Sequence, residues 1–264
     1  MLRITEIIAK LSVNDPAHFF IYTIGVPYFI TTCRDILLLM IVIALISKEN
    51  RKNLWIILWV YLISVYLRVF YYICNPDIVL TPFFISFDTL LAWFPLALLF
   101  FYIALYKRPS CCSYTIDGKK IFRILLFSFL VGVILVMLLG FINLRLGADI
   151  KSSIFSSVKK DIFTFWIAIA AFVFITPFVE ETLFRGFIFN SMRASRNLLF
   201  SIVTSSFIFA AFHSGLNIPG DSLLSFFLFG IVMAFLVNRY RNLLIPIIAH
   251  ATFNLSLILL NFIS

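Results

Sequence analysis

Long apolar runs dominate this chain, and short clusters of basic and turn-forming residues separate them. A helix rising 1.5 Å per residue needs about 20 apolar residues to cross a hydrocarbon core about 30 Å thick. Eight runs qualify: Phe29 to Ile46, Leu54 to Ile73, Phe83 to Tyr106, Ile121 to Leu144, Ile162 to roughly Met192, Leu198 to His213, Ser222 to Asn238, and Leu243 to Phe262. The expected fold is all-α, a polytopic transmembrane helical bundle of about eight spans. The stretch from His18 to Ile30 reads as an interfacial or tilted lead-in to the first span.

Composition agrees with this reading. Of 264 residues, 62% are hydrophobic and 12% charged, and the mean hydropathy is +1.08. Soluble domains carry roughly 45 to 50% apolar and about 25% charged residues. With 33 Phe, 10 Tyr and 4 Trp, a water-exposed surface would aggregate, which excludes an ordinary soluble globular protein. The net charge of +9 does not form the continuous basic face of a nucleic-acid binder, because the basic residues sit in clusters between apolar runs.

Those clusters set an expected orientation. One side carries thirteen Lys and Arg (Lys48, Arg51, Lys52, Lys107, Arg108, Lys119, Lys120, Arg123, Arg185, Arg193, Arg196, Arg239, Arg241) against four on the other (Arg145, Lys151, Lys159, Lys160). By the positive-inside rule the first set is cytoplasmic, and an even number of spans leaves both termini outside. Cys33, Cys74, Cys111 and Cys112 form no CxxC pair, so neither a zinc ribbon nor a disulfide framework is expected. The segment after Met1 to Lys10 shows no cleavable-signal pattern. The basic loop 107–120 divides the chain into an N-terminal region of three spans without a motif, 1–106, and a domain at 121–262 that holds the polar residues of interest.

A charge at the bilayer centre costs at least about 2.5 to 3.5 kcal/mol, so each one there asks for a reason. Arg34, Asp35, Arg68 and Asp88 lie near the ends of their spans and read as snorkelling groups or as a structural pair, Arg68 with Asp88. Glu180 and Glu181 stand far from either end of a long apolar run. Counted at 1.5 Å per residue from the cytoplasmic ends, Glu180 lies about 18 Å inward, His213 about 22 Å, His250 about 12 Å and Asn254 about 18 Å. Four polar side chains on three helices therefore reach similar depth. Glu181 and Arg185 are i and i+4 and are expected to pair, as are His250 and Asn254 to share a face, which leaves Glu180 for chemistry. Pro177 and Pro246 remove backbone donors nearby, as expected where irregular helices line a wet cavity. No HExxH, GxSxG or phosphate-loop motif is present, and Ser214 beside His213 lacks a nucleophile-elbow context.

Three ordered motifs resemble a known family. Glu180-Glu181-Thr-Leu-Phe-Arg185 matches EExxxR, Phe209-Ala-Ala-Phe-His213 matches FxxxH, and His250-Ala-Thr-Phe-Asn254 matches HxxxN. Together they are similar to the signature of the CPBP family, which joins type II CAAX prenyl endopeptidases to bacterial bacteriocin-processing (Abi) proteins. The resemblance implies an intramembrane endopeptidase acting on a peptide or lipopeptide at the bilayer. It further implies that Glu180 and His213 activate water, that His250 and Asn254 stabilise the oxyanion, and that Glu181, Arg185 and Phe209 support them. Zinc or another divalent metal held by Glu180, His213 and His250 is a hypothesis that two His and a Glu suggest. A multi-pass protein of a bacterial cell membrane, handling leader-type peptides ahead of prenylated ones, is the preferred setting. The competing expectations are a transporter or channel that uses the same Glu/His cluster, and a non-catalytic immunity or scaffold protein.

Overall fold

A computed structural model describes residues 26–45, 48–74, 82–102, 121–145, 162–213 and 222–263. Eight helical elements fill these segments, with no strand among the described residues: α1 (Val26–Leu45), α2 (Lys48–Cys74), α3 (Pro82–Tyr102), α4 (Ile121–Arg145), a long composite α5 (162–193), α6 (Leu198–His213), α7 (Ser222–Tyr240) and α8 (Leu244–Ile263). The expected helical membrane bundle is the observed fold. Three of its helices, Phe122–Ile142, Ile162–Arg193 and Leu223–Tyr240, are long and apolar enough to cross a membrane. The expectations placed on His18, on the loop 107–120 with Cys111 and Cys112, on Lys151, Lys159 and Lys160, and on Ser214 lie outside the described residues.

Arg34 and Asp35 lie in α1 about two turns from its start, as a mutual ion pair. One departure from the expected pattern has a plain cause. Arg185, counted above with the basic loops, is 1% exposed within α5, because Glu181 one turn earlier neutralises it.

Helix α4 shows how the sequence sorts its faces. Phe122, Leu126, Phe129, Met137 and Phe141 are exposed, while Ser128, Gly132, Leu135 and Leu139 face inward. Both stripes follow the 3.6-residue period, but the exposed stripe is the bulkier and fully apolar one, as lipid rather than water requires. The Ser128 hydroxyl, on the inner stripe, is satisfied by the Ile124 carbonyl at 2.8 Å.

Inside, one hydrophobic cluster joins all eight elements, running from Leu39, Leu54 and Phe100 through Leu135, Phe184 and Phe209 to Met233 and Ala249. A smaller one around Phe189, Val237 and Leu243 closes the end where α7 turns into α8. That turn is tight: Arg241 takes a positive φ of 52°, and the Asn242 side chain accepts the Leu244 backbone N–H at 2.8 Å. Pro246 consequently falls in the first turn of α8, where a missing N–H is harmless. The helical irregularity expected at Pro246 is therefore absent from α8.

Without water-driven association between helices, close approach has to come from small residues. Gly230 of α7 sits against Ser206 of α6, and a Cβ there would lie 2.9 Å from the Ser206 Cα. Gly132 of α4 sits against α8, and a Cβ there would lie 2.5 Å from the Ala249 carbonyl oxygen. These contacts set the positions of the two helices that carry His213 and His250. Gly132→Ala is expected to destabilise the protein by about 1 to 3 kcal/mol, since backbone has to move to admit the methyl group. Thermal unfolding of the variant beside wild type in the same detergent checks this.

Candidate active site

Helix α5 is α-helical at Ile162–Ala168, π-helical at Ile169–Ile175, α-helical again at Thr176–Glu181, and π-helical at Thr182–Phe189. The two glutamates thus end a short α-helical piece held between two wider stretches. Pro177 opens that piece and has no N–H to bond back, which helps to displace the hydrogen-bond register there. π-helical turns are uncommon and tend to accompany functional sites. Carbonyls loosened by the second stretch are taken up by Asn190, whose Nδ2 donates to the Arg185 oxygen at 2.7 Å and to the Gly186 oxygen at 3.1 Å.

Glu180 and Glu181 are both buried and serve different neighbours. Glu180 faces α6: its Oε2 stands 3.8 Å from His213 Nε2 and has no hydrogen-bond partner among the described residues. His213 Nδ1 lies 2.9 Å from the Phe209 carbonyl oxygen. A carbonyl only accepts, so Nδ1 carries the proton and, in the neutral ring, Nε2 is the acceptor facing Glu180. The ring is also stacked on Phe226, with centroids 4.3 Å apart.

Glu181 is the anchor of a second set. Its Oε1 accepts from Arg185 Nη1 at 3.2 Å and from His250 Nδ1 at 2.8 Å. Arg185 also donates to the Gly230 carbonyl at 3.4 Å and lies 4.4 Å over the Phe209 ring. The expected Glu181–Arg185 pair is present. The link from Glu181 to His250, 69 residues away, is an addition that helical spacing alone does not reveal.

Phe209 stands between the two histidines, 4.5 Å from the His213 ring and 6.3 Å from that of His250. Phe229 packs against His250 with centroids 4.7 Å apart. Asn254 is held one turn beyond His250, its Nδ2 donating to the Phe172 carbonyl at 2.7 Å in the first π-helical stretch. The residues singled out from the sequence therefore form a Glu180–His213 couple and a Glu181–Arg185–His250 set, with Asn254 fastened along the same helix α5. Thr176, one turn before Glu180, adds a buried hydroxyl with no hydrogen-bond partner among the described residues. A threonine in an apolar helix gives no warning of this, because most bond back to their own helix.

The hypothetical metal ligands do not come together as a set. Among the described residues, no three His, Cys, Asp or Glu side chains are grouped to hold a metal ion. Glu180 and His213 face each other, while His250 is directed through Nδ1 to Glu181.

Fold and site together define a helical membrane protein with paired carboxylates and histidines buried between its C-terminal helices. Residues 162–256 match a family model described as Rce1-like, type II CAAX prenyl endopeptidase Rce1-like. A Bacillus subtilis (strain 168) protein named "Putative membrane peptidase YdiL" is 34% identical over 80 residues, which are 30% of this chain and 31% of that relative. The chain thus covers about a third of the length of the curated relative it matches. No solved structure matches it. The matched segment contains all three motifs, from Glu180 to Asn254, on which the resemblance to the CPBP family rests.

Arg185→Ala is expected to destabilise the protein by about 3 to 5 kcal/mol, because it removes the cation that balances the buried Glu181 carboxylate. The paired Glu181→Gln, Arg185→Met variant should recover much of that loss. Denaturant unfolding of both variants and wild type in micelles checks the pair.

Proposed function

We propose that the protein is an intramembrane endopeptidase that hydrolyses a peptide bond of a membrane-associated peptide or protein. The observation that carries this reading is the facing of two acceptors, Glu180 Oε2 and His213 Nε2, across 3.8 Å. One water at ordinary hydrogen-bond lengths of about 2.8 Å can donate a proton to each. Its lone pairs then point away from both, toward an incoming carbonyl carbon.

Glu180 takes the proton as the water oxygen bonds to that carbon, and the carbonyl oxygen becomes the oxyanion of a tetrahedral intermediate. His213, fixed by the Phe209 carbonyl, orients the water and shares its proton. The proton then passes to the amide nitrogen, the C–N bond breaks, and a carboxylate and an amine leave. The oxyanion falls to His250 and Asn254. Nδ1 of His250 is engaged by the Glu181 carboxylate, so Nε2 is the ring atom left to meet the oxyanion. One Asn254 amide proton is spent on Phe172, which orients the second. Such donors count most where water is scarce. Activation of water by Glu180 and His213 needs no metal.

The match to prenyl endopeptidase-like proteins and to a relative named as a membrane peptidase supports peptide hydrolysis. Within that class the reading favours leader-type peptides at a bacterial cell membrane, with prenylated CAAX-type peptides second, in a multi-pass arrangement.

The test is mass spectrometry of unmodified leader-type peptides and farnesylated peptides incubated with the full chain in liposomes, wild type beside Glu180→Gln. Cleavage by wild type and at least a thousandfold loss in Glu180→Gln are expected, with an unchanged unfolding midpoint. Near-normal turnover by Glu180→Gln would sink the assignment. Products from neither protein, together with potential-driven solute uptake, would favour a transporter. In the same assay, exhaustive chelation is expected to leave cleavage intact; loss of activity restored by zinc would contradict the metal-free route.

A further inference from the structure

The N-terminal helices lie outside the matched segment 162–256, yet one of their charged residues reaches the last turn of the helix that carries His213. Arg34 of α1 donates from Nη2 to the Phe212 carbonyl at 2.7 Å, a contact across 178 residues of sequence. The guanidinium is itself held in place. Asp35 Oδ1 accepts from Arg34 Nε at 2.8 Å and Nη2 at 2.6 Å, and Asp35 Oδ2 accepts from the Tyr61 hydroxyl of α2 at 2.8 Å. Two helices thus cooperate to present one cation to one carbonyl.

The choice of carbonyl matters. Helical carbonyls in a last turn run out of partners along their own helix, and the negative end of the helix dipole favours a cation there. In α6 the Phe209 oxygen accepts from the His213 ring and the Phe212 oxygen accepts from Arg34. The peptide unit that joins Phe212 to His213 is therefore fixed on one side by α1, while the ring is fixed on the other by its own helix. Mutual neutralisation of Arg34 and Asp35 accounts for their presence in a span but needs no contact with Phe212.

We propose that Arg34 is a positioning residue for His213, with Asp35 and Tyr61 as its supports, and that α1 and α2 are therefore part of the catalytic unit. The kinetic half of this proposal rests on the endopeptidase reading; the structural half does not. A bridging water between Glu180 and His213 tolerates little movement, and a shift of about 1 Å in such a group can cost about a hundredfold in rate.

The test compares wild type, Arg34→Gln, Arg34→Lys and Tyr61→Phe as full chains in liposomes. Amide hydrogen exchange read by mass spectrometry is expected to rise about tenfold at 209–213 in Arg34→Gln, the size of a lost hydrogen bond to a charged group. Exchange at 229–237 of α7 stays at the wild-type rate. Arg34→Lys recovers most of the protection, and Tyr61→Phe gives a smaller rise confined to α6. On whichever peptide wild type cleaves, Arg34→Gln lowers kcat about tenfold with KM within about twofold.

Wild-type exchange at 209–213 in Arg34→Gln overturns the proposal. An equal rise in α6 and α7 overturns it too, because it marks Arg34 as a general packing residue. If Arg34→Gln does not fold, Arg34→Lys and Tyr61→Phe decide by the same comparison, and no change confined to α6 in Tyr61→Phe counts against it. Should wild type cleave no peptide in the panel, the endopeptidase reading fails separately and the exchange data still decide whether α1 holds the end of α6.

Discussion

A carboxylate enclosed in the middle of a membrane bundle has to be compensated, and Glu181 is compensated twice through one oxygen. Arg185 reaches it from the next turn of the same helix, and His250 reaches it from α8. The same guanidinium extends to the Gly230 carbonyl of α7 and covers the Phe209 ring of α6. Four helices are thereby tied to a single charge. Lipid offers no competing hydrogen bonds, so these few polar contacts fix the relative placement of helices that dispersion alone would leave adjustable.

Two devices make room for this arrangement. The π-helical stretches of α5 widen it on both sides of the glutamates, and Asn190 and Asn254 take up carbonyls belonging to those stretches. Gly132 and Gly230 then let α4 approach α8 and α7 approach α6 at backbone distance. Aromatic rings fill the remaining space, with Phe184, Phe226 and Phe229 around Phe209. Glu180 Oε2 and Thr176 Oγ1, one helical turn apart on α5, are buried without a hydrogen-bond partner among the described residues. An acceptor that is buried and unpaired beside a histidine is poorly placed for stability and well placed to bind water.

The N-terminal helices share the hydrophobic core with the matched segment. Phe100 of α3 stacks on Phe187 of α5 with ring centroids 5.5 Å apart, and Leu39, Leu54 and Ile57 join the same cluster. The Arg68–Asp88 pair joins α2 to α3, with Nε to Oδ1 at 2.7 Å, so α1 to α3 have polar fastenings of their own. In a membrane protein, neutralising a charge near the end of a span and positioning a neighbouring helix are compatible uses of one side chain, and Arg34 combines them.

Much of the architecture was legible in the chain itself, because lipid imposes a simple rule. Helices of membrane length need long apolar runs, and all eight expected spans correspond to observed helices. Local spacing also carried the Glu181–Arg185 pair, since residues four apart on a helix are neighbours whatever surrounds them. Other features were beyond it. Depth counted at 1.5 Å per residue brought Glu180, His213, His250 and Asn254 to one level, but only packing divided them into the Glu180–His213 couple and the set anchored on Glu181. Pro246 looked like a break within a span and proved to be in a first turn, because the tight turn at Arg241 sets where α8 begins. The sequence by itself determined which residues form apolar helices and which polar groups those helices carry, for those depend on solvation and on contacts within a turn. Tertiary structure decided which of those groups meet, because contacts such as Glu181 with His250 and Arg34 with Phe212 depend on helix rotation and separation, set by glycine contacts and π-helical turns.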